Sequence, residues 1–338
     1  MRLTIAALLF VLPSLAFAAA GPGPDRDLLE AAGKGDSGKA KAALAAGANV
    51  DVQDSDGSTA LIYAAVTDDV PLTNLLLSKG AKVDLKDKQG ASALHVAVDR
   101  NSQRVVALLV AKGADVNAKE GNGRAPLVIA ADRGKMPLVK LLLDKKADPS
   151  TKANDGRTPL IHAVNNEHFD VVDLLLAKGA DVNSAETKGN TALIRAAQGC
   201  APDEAELRGD KPSRPGHSKT CPKKMLALVK TLIAKGANVN ARNSEGYTPV
   251  LAAIANDQRD IAKVILEKKP DLSGTMAKKR TALMIAAAMG YTDIVKLMVD
   301  AGADMKAKDF EGTTALAAAK ENGHRDIVEI LTKAGAKE

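Results

Sequence analysis

The chain has 338 residues, a formal net charge of +6 and two cysteines, and it is 46% hydrophobic but only 2% aromatic, with no tryptophan. A core of Ala, Leu, Val and Ile suits closely packed helices and argues against a β-sandwich, which draws on aromatic and β-branched residues. The charge is too mild for a nucleic-acid footprint, though it favours an acidic partner.

The first element in the chain is a leader. Met1-Arg2 is a basic start, residues 3–12 form an apolar run, Pro13-Ser14 breaks it, and Ala16-Phe17-Ala18 has the small-x-small pattern of a signal-peptidase site. The sequence predicts a signal peptide over residues 1–18, cleaved after Ala18 with Ala20 as the alternative, followed by a linker over residues 19–24. The apolar run is too short for a span, which needs roughly 20 apolar residues, and no later segment is apolar enough to cross a membrane. No cysteine stands near the cleavage site to take a lipid. The chain contains no Asn-x-Ser/Thr sequon, which favours a bacterial envelope over a eukaryotic secretory route. The expected location is therefore outside the cytoplasm, in the periplasm or secreted.

From there on the sequence repeats. Gly57, Gly90, Gly123, Gly156 and Gly189 are spaced by 33 residues, Gly246 follows after 33 plus an insertion of 24, and Lys279 and Gly312 continue at 33. Two residues after each of these stands Thr59, Ser92, Ala125, Thr158, Thr191, Thr248, Thr281 or Thr314. Seven residues after, the residue is always alanine: Ala64, Ala97, Ala130, Ala163, Ala196, Ala253, Ala286 and Ala319. A second apolar block is centred on Leu76, Leu109, Leu142, Leu175, Leu232, Ile265, Met298 and Leu331, and Gly-Ala closes most units. The Thr or Ser hydroxyl predicts the N-cap of a first helix, and Pro126, Pro159 and Pro249 occupy its first turn, where a missing N–H does no harm. The invariant alanine predicts a close helix contact that a larger side chain would overpack. The Leu block is the buried stripe of a second helix, ended by a left-handed glycine.

The segment Gly156-Arg157-Thr158-Pro159-Leu160-Ile161-His162-Ala163 resembles the opening signature of the ankyrin-repeat family, and Gly179-Ala180-Asp181-Val182-Asn183 its closing motif. The resemblance implies a mainly α fold, an ankyrin-repeat solenoid of helix-turn-helix pairs joined by short β-hairpin loops. It divides a single domain over residues 25–338 into an N-terminal cap at 25–54 and repeats at 55–87, 88–120, 121–153, 154–186, 187–243, 244–276, 277–309 and 310–338. In the last unit Ile327, Val328 and Leu331 are interleaved with Arg325, Asp326, Glu329 and Lys333, as suits an outward-facing cap. Lys146 and Lys269 replace the helix-ending glycine. A left-handed non-glycine costs about 1 kcal/mol or more, so units three and six are the expected weak places.

The insertion, about residues 200–223, interrupts the fifth repeat between its helices. It is rich in Pro, Gly and charge, with Cys200 and Cys221 at its ends. In an oxidising compartment the two cysteines predict a disulfide, and closing about 20 residues stabilises by roughly 3 kcal/mol on the chain-entropy argument. The rival reading is a metal site in which His217, Cys221 and Cys200 are completed by Asp203, Glu204 or Asp210. A third is a pair of free thiols. The loop itself reads equally as a functional element or as a tolerated insertion.

Nothing in the chain has the arrangement of a catalytic site. His95 and His162 fall at or beside the family's structural His position, and His168 and His324 in the inter-helix turn. Gly33-Lys34-Gly35-Asp36-Ser37-Gly38-Lys39-Ala40 mimics a phosphate loop but ends in Ala where Ser or Thr must hold Mg²⁺. The repeats leave no room for a second domain, so the sequence predicts no enzyme, no cofactor and no metal. The resemblance implies binding through the hairpin tips and the exposed side of the first helices. That assigns Arg124, Arg157, Asn190, Tyr247 and Arg280, each following a repeat glycine or its equivalent, Lys88, Asn122 and Asp155 at the tips, and Arg100 and Arg133 at the first-helix ends. The expected partners are one or more proteins of the cell envelope, acidic in character, with no nucleic acid and no membrane span, and the chain is expected to be a monomer. Scaffold or adaptor is the leading reading. The alternative is an inhibitor or immunity protein that covers an envelope hydrolase or toxin.

Overall fold

The computed structural model describes residues 23–200 and 217–337. The leader, both cleavage positions, and Asp203, Glu204 and Asp210 of the insertion lie outside the described residues. The described chain forms eighteen α-helices in nine consecutive pairs, and it divides into two compact units, Met1–Asn154 and Asp155–Glu338.

The first unit holds four pairs: α1 (Pro24–Gly33) and α2 (Ser37–Ala45), α3 (Ala60–Val66) and α4 (Val70–Ser78), α5 (Ala93–Asp99) and α6 (Gln103–Ala111), α7 (Pro126–Asp132) and α8 (Met136–Asp144). Each first helix packs on its own second helix and on the next first helix, and each second helix packs on the next second helix. The phosphate-loop mimic is the turn of the first pair. Gly33 ends α1, and the Asp36 carboxylate accepts the Lys39 N–H to cap α2.

The second unit holds α9 (Pro159–Asn165), α10 (Phe169–Ala177), α11 (Ala192–Ala197), α12 (His217–Ala234), α13 (Pro249–Ala255), α14 (Arg259–Leu266), α15 (Ala282–Ala288), α16 (Thr292–Asp300), α17 (Ala315–Glu321) and α18 (Arg325–Lys333). First helices again follow one another in contact, from α9 through α11, α13 and α15 to α17, and α12, α14, α16 and α18 form the second layer. Ile327 and Leu331 close the core while Arg325, Asp326, Glu329 and Lys333 face solvent.

The local chemistry read from the repeat is present. Thr59, Thr158, Thr191, Thr248, Thr281 and Thr314 each accept the N–H three residues on. All eight repeat alanines are fully buried, as are the eight residues at the centre of the second stripe. The Asp-Val-Asn stretch does more than turn the chain, because its acid or amide side chain reaches the next repeat. Asp51 accepts the Lys82 N–H at 2.8 Å and Asn117 that of Asp148 at 2.9 Å in the first unit, and Asn240 accepts that of Asp271 at 2.8 Å in the second.

The insertion boundary needs correction. The second helix of the fifth repeat starts at His217 and not near Lys224, so residues 217–223 are helix rather than loop. Pro222 sits within the first two turns of α12, where it removes a single ladder bond near the helix end.

Lys146 and Lys269 adopt the expected left-handed conformation, with φ of 66° and 49°. The sixth and seventh repeats carry a further irregularity. The glycine-less hairpin becomes a short 3₁₀ turn, Ala277–Lys279, with Lys278 and Lys279 both at positive φ. A Cβ on Gly246 would lie 2.1 Å from the Thr275 carbonyl oxygen. Glycine is therefore required where the tip of the sixth repeat meets the end of the same repeat. Relieving the strain nearby is expected to help: Lys269→Gly should raise the stability of the second unit by about 1 kcal/mol, measured by urea unfolding against the parent chain.

Candidate protein-binding face

The hairpin tips form a row tied by backbone. In the first unit Lys88 N–H donates to Asp56 O at 2.8 Å, Gly121 to Gln89 at 2.7 Å and Asn154 to Asn122 at 3.0 Å. In the second unit Thr187 donates to Asp155 at 2.9 Å, Ser244 to Lys188 at 2.8 Å and Phe310 to Lys278 at 3.0 Å. Among the described residues no such bond joins Glu245 to Ala277, at the seam where the glycine is lost. Where the residue three before the repeat glycine is Asp or Asn, it also braces the tip from within. The Asp54 carboxylate accepts the Asp56 and Ser58 N–H groups, Asn243 those of Glu245 and Tyr247, and Asp309 those of Glu311 and Thr313.

Two repeats have glutamate at this position, and there the expected arginines are engaged. Arg157 Nε donates to Glu186 at 2.7 Å, reaching from its own hairpin to the base of the next one, and Arg195 binds the other oxygen of the same carboxylate. Asn190 donates to Glu186 at 2.5 Å and accepts from Asn243 at 2.8 Å. Asn190 is only 4% exposed, so it lies inside the hairpin and not on its face. Arg280 follows the Arg157 pattern, with its Nε 3.6 Å from Asp309 at the base of the next hairpin. For Arg124 the next hairpin offers Ala153 at that place, and the side chain folds back onto Glu120 at the base of its own hairpin at 2.5 Å. Arg133 bridges two repeats of the first unit, with Nη2 2.9 Å from Asp99. The row of arginines is thus largely a set of braces within and between repeats.

What faces solvent is a different subset. Lys88, Asn122, Asp155, Lys188, Arg100 and Arg280 are exposed, and Tyr247 is half-buried. Phe310, at the last tip, is 69% exposed, with the Lys279 ammonium 5.3 Å from its ring centre. Sequence reasoning did not single out Glu120, Glu186 or Arg195. The signal was present, since these are the two places where Glu replaces the usual Asp or Asn three residues before the glycine.

Two of the histidines, His95 and His324, are structural in their contacts. His95 Nδ1 accepts the Ser92 N–H at 3.2 Å, and its Nε2–H donates to the Ala118 carbonyl at 2.9 Å. His324 Nε2–H donates to the Ala288 carbonyl at 2.9 Å. At the insertion, Cys200 and Cys221 form a disulfide with Cα atoms 6.1 Å apart. It ties the end of α11 to the first turns of α12, beside an open polar cleft of about 470 Å³ lined by Asn165, Glu167, Arg195, Gln198, Met225 and Asn256. No helix among the described residues is long and apolar enough to cross a membrane.

No curated protein matches the chain significantly. A profile of ankyrin repeats, built on three copies, matches residues 28–120, 127–207, 218–309 and 275–338. Proteins of this kind are generally protein-binding modules without catalysis of their own. On its 33-residue register, its paired helices and this match, the chain belongs to the ankyrin-repeat family.

Proposed function

We propose that the protein is an exported, non-catalytic interaction module that acts as a scaffold or adaptor in the periplasm, holding envelope proteins on its hairpin tips and first-helix ends. The observation that carries this reading is the state of the tips. Within each unit most tips are tied by backbone bonds and several of their arginines are engaged, which pre-orders them, while Lys88, Asn122 and Arg100 of the first unit and Asp155 and Arg280 of the second remain exposed. A pre-ordered surface loses little entropy on binding. The leader pattern and the disulfide support export. Tyr247 and the partly exposed Arg157 and Arg124 are of residue types enriched at binding hot spots.

The test is affinity capture from envelope extract with the mature chain, followed by affinity measurement on the captured partner. Lys88→Ala and Arg100→Ala are each expected to weaken binding roughly tenfold, or about 1.4 kcal/mol. Lys140→Ala, on the outer helix α8, is expected to leave it unchanged. No partner above background, or equal losses from all three variants, would sink the reading. Capture of an envelope hydrolase whose activity falls when the chain is added would redirect it to an inhibitor.

A further inference from the structure

The disulfide has an unexpected neighbour. Cys200 lies three residues beyond α11, the first helix of the fifth repeat, and Cys221, 2% exposed, lies in the first turns of α12. Glu167 belongs to the preceding repeat, in the turn between α9 and α10, yet one of its carboxylate oxygens and both sulfurs lie within 4.8 Å of one another. Glu167 reaches this place with φ of 60°. At the same turn other repeats have Gly134, Gly290 and Gly323, or Asp68, Asn101 and Asp257, all at positive φ. Asp and Asn tolerate the left-handed region through local hydrogen bonds, whereas glutamate has no such ease. A strained residue beside a reactive pair directs attention to function.

We propose that Glu167, Cys200 and Cys221 form a redox-gated metal site: the disulfide closes it, and reduction opens a two-thiolate, one-carboxylate donor set for zinc or a similar divalent ion. A dithiol supplies the two electrons and two protons that convert the disulfide to two thiols, and itself becomes a disulfide. Metal binding then releases both thiol protons. Thiolates select zinc-class ions over magnesium or calcium. A tetrahedral zinc needs metal–sulfur bonds of about 2.3 Å and a metal–oxygen bond of about 2.1 Å, which places the sulfurs about 3.8 Å apart. With the Cα atoms at 6.1 Å, side-chain rotation alone reaches that separation once the bond is open. The cleft lined by Asn165, Gln198 and Asn256 leaves a fourth position to water.

Beside a divalent ion the Glu167 carboxylate is a ligand. The site differs from the in-loop set read from the sequence because its third donor comes from outside the insertion. It is also independent of the binding face, so either proposal stands if the other falls.

The mature chain is reduced with dithiothreitol, desalted without oxygen and titrated with Co²⁺, alongside the oxidised chain. One equivalent with a thiolate-to-cobalt charge-transfer band in the reduced chain, bleached by Zn²⁺, is expected, with no band in the oxidised chain. Glu167→Gln is expected to keep the band but bind at least about tenfold more weakly, a loss that even a supporting residue brings. Cys221→Ser removes the band. Far-UV circular dichroism on the same samples shows whether the helices persist. The proposal is overturned by a reduced chain without the band, by equal cobalt uptake in the oxidised chain, by an unchanged affinity in Glu167→Gln, or by helix lost on reduction that metal does not restore.

Discussion

Replacing Glu186 with alanine is expected to lower the stability of the second unit by about 3 kcal/mol, more than any single tip residue should. The Glu186 side chain is 4% exposed and takes Arg157 on one oxygen and Arg195 and Asn190 on the other. Burial alone would raise its pKa, but hydrogen bonds from Arg157 and Asn190 and the Arg195 charge outweigh it and hold the pKa below the usual glutamate value. Removing the carboxylate leaves two part-buried guanidiniums facing an apolar gap, and losing one partner of a buried pair costs about 3–5 kcal/mol. Arg157 and Arg195 keep 35% and 22% of their side chains in solvent, which places the loss at the low end. Glu186→Gln, which keeps an acceptor, is expected to lose less, about 1–2 kcal/mol. Because the folded pKa is depressed, this stabilisation is present above the unfolded value of 4.5 and fades as pH falls further. The gap between the parent and the alanine variant therefore narrows in acid. Urea titrations followed by helical circular dichroism measure it, with exposed Glu245→Ala as a control near zero. A Glu186→Ala midpoint within about 0.5 kcal/mol of the parent would show that the carboxylate braces nothing.

The same residue marks the limit of what the sequence discloses. Helix positions follow from capping, alanine contacts and the leucine stripe, all of which are local or recur at 33 residues, so the paired-helix architecture is legible. The arginines are local too, and read singly they look like a solvated or binding face. The partners of Arg157 and Arg280 are 29 residues away, at the base of the next hairpin. Only the register between repeats turns Arg157 from a free charge into half of a brace, and only the absence of an acid at Ala153 explains why Arg124 turns back to Glu120. Asn190 shows the same effect, since its place after a repeat glycine suggests the surface while its two partners draw it inside. Glu167 could have been found, because it stands one period before Cys200. A search for metal donors confined to the insertion passes over it. The early start of α12 is hidden by the Pro, Gly and charge content of the insertion as a whole, although a proline as near a helix end as Pro222 is tolerated.

Acid is expected to strip about 3 kcal/mol from the first unit between pH 6.5 and 4, through His95. The ring is almost fully buried in α5. Its Nδ1 accepts from the Ser92 N–H, a contact that only the unprotonated nitrogen can make, while Nε2–H donates to the Ala118 carbonyl. Burial is the main reason its pKa falls from 6.5 to about 4, with the nearby Lys86 and Arg124 charges adding to it and the Ala118 bond opposing. A base whose folded pKa lies below its unfolded value binds fewer protons when folded. Its contribution is complete above pH 6.5, declines by up to about 1.4 kcal/mol per pH unit on the way down, and levels off below pH 4. Asp87 works in the opposite sense, because burial and the Asp54 and Asp56 charges raise its pKa, so its protonation in acid favours the folded state. The His95 effect is isolated by comparison with His95→Gln, which cannot take up the proton. Unfolding midpoints measured at half-unit steps from pH 7.5 to 4 should steepen in the parent relative to the variant by one proton's worth. Parallel curves would mean that the ring stays neutral in the unfolded chain or is charged in the folded one, and the buried cap would then have no part in the acid sensitivity of this fold.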